Sequence, residues 1–193
     1  GALAQQTLKG CGTVSGNVAA RGLARLEPGE SPGTLTFSNN LNLDAGVTNY
    51  FELTNSFAIG GGTNDLIVVG GDLTVSGNVI AITVLGSDPL GSGTYRLFNY
   101  AGAKTGSFNP TPVFLSGAPG PGSTARIDES VTNQINLVIL VPIPTFTSVS
   151  SAPNPSLPGS TVTITATVSA NTSLTNVVPT GSVTFKTNGV PLG

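Results

Sequence analysis

The sequence predicts an all-β protein, in which a solenoid of short stacked strands precedes a second β segment of different style. Apolar and polar residues alternate with a period of two in Thr34–Phe37 and again in Leu41–Leu43, which is typical of half-buried strands. Similar strand-like phrases start at residues 13, 34 and 74, about one or two times 20 residues apart. We find no helical periodicity of useful length.

The composition excludes several classes of protein. The 193 residues include 38% hydrophobic residues in short alternating runs, which argues against a disordered chain. Only 8% are charged, against about 25% in a typical protein. The net charge is −2 and the basic residues are scattered, which argues against a nucleic-acid partner. No apolar run approaches the roughly 18 residues of a membrane span.

The missing residue types argue against an enzyme. The chain has no His, which removes the commonest general base and metal ligand, and no Trp, a usual platform for sugar stacking. We therefore predict no catalytic residue, no cofactor and no metal. The single cysteine, Cys11, lies between two glycines. We expect a small buried residue there, with an intermolecular disulfide as the alternative in a secreted protein.

The organising segment is Leu26–Leu43, where a Pro-Gly-rich turn, Pro28–Gly33, leads directly into the alternating strand residues. The phrase Thr13–Val18 returns almost unchanged as Thr74–Val79. Asn and Gly in these phrases suit the corners of a solenoid, because corners need tight or left-handed backbone. We predict the longest exposed connection at Ser116–Ser123. Further strands are predicted at Tyr50–Thr54, Leu66–Val69, Leu73–Val75, Val79–Leu85, Thr94–Tyr100, Thr124–Asp128 and Gln134–Val141.

A family resemblance covers roughly Leu8–Val141. The order GTVSGNV, L-PG-SPGTLTF, GTY-LFNY-G and INLV resembles the C-terminal end of bacterial β-helix proteins with autotransporter-associated β-strand repeats. The most specific parts are Leu26–Phe37 and Gly93–Phe108. The resemblance implies a right-handed parallel β-helix in a large secreted or surface protein. It carries no catalytic residues to this chain, because the motif is structural.

The segment 142–193 differs from the rest. It begins with Pro142-Ile143-Pro144, a stiff exit, so we place the domain boundary between 1–141 and 142–193. Asn188-Gly189 predicts a tight hairpin. The pattern PNPS, VTITATV, PTGSVTF and NG resembles the first half of a bacterial Ig-like repeat. A complete sandwich needs about 100 residues, so this part is predicted to be incomplete or a connector.

Several acidic, serine and aromatic residues could form a site, but each has a structural explanation. Gly60–Leu66 resembles one imperfect copy of a calcium-binding nonapeptide, but a lone copy cannot build the oxygen cage, so Asp65 and Asp72 are predicted to flank a strand after a turn. Asp128 and Glu129 are adjacent, but neighbouring strand residues face opposite ways, so the two carboxylates are not predicted to form an active site. Ser76, Ser107 and Ser182 lack a His to activate them. Tyr95, Phe98 and Tyr100 are predicted to be core residues rather than a sugar platform.

We expect an extracellular bacterial structural protein, secreted or held at the cell surface. The first hypothesis is a subunit of a self-assembling filament, joined head to tail or by strand exchange through 142–193, because open strand edges can pair with another chain. The alternative is a fragment of a large surface adhesin or autotransporter passenger that binds a cell surface or polysaccharide. A carbohydrate-active enzyme is disfavoured by the scattered acids.

Overall fold

The computed structural model describes residues 5–170 and 179–191, and all regular structure in these ranges is β-strand. The chain divides into two compact units, Gly1–Val141 and Pro142–Gly193. Among the described residues, no helix is long and apolar enough to cross a membrane.

Over its described residues, 5–141, the first unit contains fifteen short strands. They are β1 (Thr7–Gly10), β2 (Gly12–Val14), β3 (Val18–Ala20), β4 (Arg25–Pro28), β5 (Thr34–Phe37), β6 (Leu41–Leu43), β7 (Thr48–Leu53), β8 (Leu66–Val69), β9 (Leu73–Thr74), β10 (Val79–Val84), β11 (Gly93–Tyr100), β12 (Lys104–Thr105), β13 (Val113–Ser116), β14 (Thr124–Asp128) and β15 (Gln134–Leu140).

These strands form three sheets in which hydrogen-bonded neighbours are mostly three strands apart. The first sheet has the order β1-β4-β7-β10-β13, the second β14-β15-β11-β8-β5-β2, and the third β12-β9-β6-β3. All pairs from β1 to β13 are parallel. The chain therefore visits each sheet once in every three strands, and each pass is hydrogen-bonded to the next.

The register gives the length of each pass. Gly12 pairs with Leu35, which is 23 residues later, and Leu35 pairs with Ile67, which is 32 residues later. Ile67 in turn pairs with Phe98 after 31 residues. The pass from Leu35 to Ile67 contains the longest connection of the first unit's described residues, residues 54–65 between β7 and β8. The longest connection was predicted at Ser116–Ser123, and that prediction is wrong. Between β13 and β14 only residues 117–123 lie outside the strands, fewer than in 54–65.

The interior is filled by the alternate residues of the strands, as predicted for the segment Leu26–Leu43. Leu35, Phe37, Leu41 and Leu43 are all buried. Three aromatic rings also pack against one another in the core, in edge-to-face and tilted arrangements. The ring centroids of Phe51 and Phe98 are 5.4 Å apart, and those of Phe98 and Phe108 are 5.2 Å apart. Tyr95 and Tyr100 are buried as well, which confirms their prediction as core residues.

One corner is held together by short polar side chains that reach from one pass to the next. Asn17 Oδ1 accepts from the backbone N–H of Asn40 at 3.3 Å, and Asn40 Oδ1 accepts from that of Asp72 at 2.9 Å. Asp72 Oδ1 continues the series by accepting from Ala103 N–H at 2.8 Å. Each side chain thus satisfies a backbone donor that a turn would leave unpaired.

The two copies of the phrase TVSGNV occupy different corners. The copy at Thr13–Val18 spans the turn from β2 to β3, whereas Thr74–Val79 spans the turn from β9 to β10. In both turns the glycine has a positive φ, 85° at Gly16 and 69° at Gly77. The repeated phrase therefore indicates that the two turns have similar backbone conformations, and it does not mark equivalent positions in the fold.

The last two strands of the first unit depart from the parallel arrangement. β15 pairs with β11 in the antiparallel direction, and β14 pairs with β15 in the same manner. Ile135, Leu137 and Ile139 of β15 are fully buried, which confirms the prediction that this apolar run is a core strand. The hairpin turns back because residues 129–133 are too few for another pass through the other two sheets.

The described residues of the second unit, 142–170 and 179–191, form two hairpins. β16 (Thr145–Ala152) pairs with β17 (Thr163–Ala170), and β18 (Lys186–Thr187) pairs with β19 (Val190–Pro191). Asn188 and Gly189, with φ of 49° and 84°, form the predicted tight turn. No described residue of this unit is buried, and Phe146 and Val149 are 64% and 66% exposed. Residues 171–178 and 192–193 of the predicted second domain lie outside the described residues.

The tight approach of successive passes predicts different costs at two glycines of similar φ. A Cβ at Gly106 (φ +78°) would overlap the carbonyl oxygen of Val75, whereas a Cβ at Gly77 (φ +69°) meets nothing within 4 Å. We expect Gly77→Ala to lower the free energy of unfolding by about 1–2 kcal/mol. Gly106→Ala should add about 1–3 kcal/mol of overpacking to that loss. Urea unfolding followed by circular dichroism measures both, and equal losses would contradict the packing explanation.

Candidate functional site

The carboxylates singled out from the sequence are not brought together. Asp128 is paired with Arg126, whose hydrogen bond at 2.8 Å holds the pKa of Asp128 below its usual value. Glu129 instead forms an ion pair with Lys104 at 2.6 Å and accepts from Phe108 N–H. Over residues 5–170 and 179–191, no group of three or more Asp, Glu, His or Cys side chains is placed to hold a metal ion.

Cys11 differs from its prediction, because its side chain is exposed and not buried. Its Sγ lies against Gly33, where a Cβ would overlap it and would also come within 2.7 Å of the Gly29 Cα. The Pro-Gly turn of the organising segment therefore folds back on itself, and Cys11 packs against the outside of that turn.

The charges gather instead in a groove on the first sheet. This groove, which we call the β4–β7 groove, has a volume of about 200 Å³. It contains five of the sixteen charged residues of the chain. Its lining includes Lys9, Arg25, Glu27, Tyr50, Glu52, Asp65, Thr83 and Leu115. Sequence reasoning missed it, because its residues come from strands whose register cannot be read from their spacing.

The groove opens where two strands of the sheet separate. β4 and β7 pair only at Arg25 with Thr48 and at Leu26 with Asn49. Two residues later β4 ends at Pro28, which has no N–H and cannot continue the ladder. Proline at the end of β4 thus leaves part of β7 without a strand neighbour on this side.

Asp65 takes the place of the missing strand. Its Oδ2 accepts from Glu52 N–H and its Oδ1 from Gly33 N–H, both at 2.7 Å. Asp65 N–H donates in return to the Glu52 carbonyl at 2.9 Å. The residue is 2% exposed. Burial raises its pKa to about 7, against the opposing effect of the two N–H groups, while the nearby charges of Glu52 and Lys9 raise and lower it respectively.

Arg25 forms one wall of the groove and is incompletely paired. Its guanidinium lies 3.8 Å from the centroid of the Tyr50 ring, a cation–π contact. Arg25 Nε is 3.3 Å from Glu27 Oε1, but the N–H does not point at that oxygen and has no hydrogen-bond partner although it is buried. A buried donor left without an acceptor is unfavourable by about 1–3 kcal/mol.

The arrangement is suited to binding and not to proton transfer. Both oxygens of Asp65 are held by backbone N–H groups, so neither is presented as a free general acid or base. Glu27, Glu52, Lys9 and Arg25 offer acceptors and donors along an open surface. The β4–β7 groove can therefore hold a polar molecule by several hydrogen bonds.

Comparisons with known proteins give one curated relative for this chain. The chain is 38% identical to the adhesin BmaC autotransporter of Brucella suis biovar 1 (strain 1330) over 137 residues. The match covers 68% of this chain and 4% of that protein, so the chain spans a small part of its relative. No protein-family profile and no solved structure matches. The similarity supports the predicted relationship to autotransporter-associated proteins.

The buried Asp65 predicts a stability that falls as the pH rises. Its folded pKa of about 7 lies above the ordinary value of 3.8, so the folded state binds the proton more tightly. The contribution of Asp65 to the free energy of unfolding should be fully present below about pH 4, fall by on the order of 2–4 kcal/mol as the pH rises through 7, and level off above about pH 8. Thermal unfolding between pH 3.5 and 8.5 measures this change.

Two variants identify the group responsible. Asp65→Asn should lose most of this fall with pH, and should be destabilised at low pH because an amide accepts from only one of the two N–H groups. Asp128→Asn is the control and keeps the fall, since it leaves Asp65 in place. A wild-type profile that is unchanged by Asp65→Asn would show that another group titrates.

Proposed function

We propose that this chain is part of the extracellular passenger of a large bacterial surface adhesin, in which residues 1–141 form terminal coils of a parallel β-helix. The single observation that carries the proposal is the sheet order, in which parallel neighbours are three strands apart in all three sheets. A coil with three strands per turn produces this order directly. The similarity to the Brucella adhesin autotransporter supports a surface role.

The proposed role is mechanical and associative rather than enzymatic. Stacked coils make a stiff spacer, since each strand is fixed by hydrogen bonds to the passes before and after it. The carboxylates Asp128 and Glu129 are each held in an ion pair, and Asp65 is held by backbone donors. In the proposed arrangement residues 142–193 form part of an Ig-like domain that serves as a connector.

Antibodies against the chain test the surface role. On intact cells of the organism that carries the gene, we expect labelling that is lost after mild protease treatment of those cells. The purified chain added in excess should lower attachment of the cells to their target surface by at least about twofold, by mass action. Labelling that appears only after the cells are permeabilised would overturn the proposal.

Self-association is the second candidate function, and an observation on the second unit favours it. By strand alternation, Val149, Ile164 and Val168 share one face of the β16–β17 hairpin. On that face Val149 and Ile164 are 66% and 45% exposed. An apolar sheet face of this kind, with long edges that pair with no other described strand, is a template for another copy. The Brucella relative nevertheless favours the adhesin over a filament subunit.

Light scattering on the purified chain tests this second function. If it holds, the mean mass should rise with concentration, and Val149→Lys with Ile164→Lys should return the chain to monomer mass, because two charges would be buried in the contact. The control pair Ser148→Lys with Thr165→Lys adds the same charges to the opposite face and should not prevent association. An association with a Kd of about 0.5 mM is already weak. A wild-type chain that stays monomeric up to that concentration would therefore exclude self-association as its function.

A further inference from the structure

Polar side chains in the β4–β7 groove and directly beside it form two short rows across the strands. Lys9 and Glu27 are register partners on β1 and β4. Glu52 of β7 faces Thr83 of β10, and Thr83 in turn faces Ser116 of β13. Adjacent strands are about 4.8 Å apart, so each row places a polar group at a regular step along the direction in which the passes stack.

The balance of charge limits the class of ligand. Apart from Asp65, which is buried with both oxygens held by backbone N–H groups, two cationic and two anionic side chains face the groove, Lys9 and Arg25 against Glu27 and Glu52. A polyanion would meet the two carboxylates, and a polycation would meet the ammonium and the guanidinium. A ligand of low net charge avoids both repulsions.

The chemistry of the lining limits the class further. Donors and acceptors alternate within the groove, where Glu27 Oε1 lies 3.3 Å from Arg25 Nε and Lys9 is the register partner of Glu27. Sugar hydroxyls donate and accept at once, so neighbouring hydroxyls can satisfy a guanidinium and a carboxylate together. The exposed Leu115, with the part of the half-buried Tyr50 ring that the Arg25 guanidinium leaves uncovered, offers apolar surface to the C–H face of a pyranose ring.

We propose that the β4–β7 groove is a binding subsite for a linear neutral glycan that lies across the strands of the first sheet. Arg25 and Lys9 donate to sugar oxygens, and Glu27 and Glu52 accept from sugar hydroxyls. The open groove accommodates about one sugar residue, and the row from Glu52 through Thr83 to Ser116 continues the contact on one side. This proposal rests on the proposed adhesin function and names the ligand class that such a protein would hold.

Titration calorimetry on the full 193-residue chain tests the proposal. The probes are cellotetraose and tetra-N-acetylchitotetraose as neutral glycans, tetragalacturonate as an acidic glycan, and acetyl-Gly-Ser-Gly-Ser-amide as an uncharged peptide. We expect at least one neutral tetrasaccharide to bind, with a Kd at least about tenfold below those of the acidic glycan and the peptide, a difference of about 1.4 kcal/mol. Amide chemical shifts should change chiefly in β4, β7 and β10.

Two variants connect that binding to the groove. Glu52→Gln and Glu27→Gln should each weaken it about tenfold, because a charge-assisted hydrogen bond becomes a neutral one. Asp88→Asn removes a charge from an exposed acid between β10 and β11 and should change the Kd less than about twofold. Unfolding curves of all three variants, measured alongside, show that each is folded during the titration.

The outcomes separate this proposal from the adhesin function. Tighter binding of tetragalacturonate or of the peptide, or no effect of Glu52→Gln and Glu27→Gln on the bound neutral glycan, would overturn the glycan subsite. Absence of binding by every probe would overturn it too. If the glycan subsite fails in one of these ways but intact cells are labelled, only the subsite is overturned and the adhesin function is kept. If the neutral glycan binds but intact cells are not labelled, only the adhesin function is overturned.

Discussion

Every other feature of the first unit depends on one constraint, which is that a parallel strand finds its hydrogen-bond partners only in the pass before it and the pass after it. A single pass through the three sheets pairs almost none of its own backbone groups. Register between passes therefore fixes both the interior and the outer surface. The chain satisfies this constraint at the strands through the ladder and at the corner through Asn17, Asn40 and Asp72.

Where the parallel ladder of hydrogen bonds ends, the backbone groups are paired either by a side chain or by an antiparallel strand. At β4 the proline ends the pairing, and the Asp65 carboxylate accepts the N–H of Glu52 that a strand neighbour would otherwise accept. After β13 the antiparallel β14–β15 hairpin extends the second sheet and covers its last parallel strand. The first solution creates a polar groove, while the second completes an apolar core around Ile135 and Leu137.

Local patterns in the sequence predicted the local structure well. Alternation identified the buried faces of β5 and β6, and the Asn188-Gly189 pair identified its hairpin. The β4–β7 groove could not be predicted, because Lys9, Glu27 and Glu52 become neighbours only through the register of passes of unequal length. The phrase TVSGNV shows the same limit, since turn chemistry alone does not say which corner a turn occupies.

The sheet order also has a mechanical consequence. In a stack of parallel coils the interstrand hydrogen bonds run along the stacking direction, so a pull in that direction stretches them end-on. Because three sheets connect each pass to the next, separating two passes requires bonds in all three to break together. Corner side chains such as Asn40 and Asp72 add bonds to the same layer. Tension in that direction is thus shared by all the bonds of a layer instead of falling on one strand pair at a time.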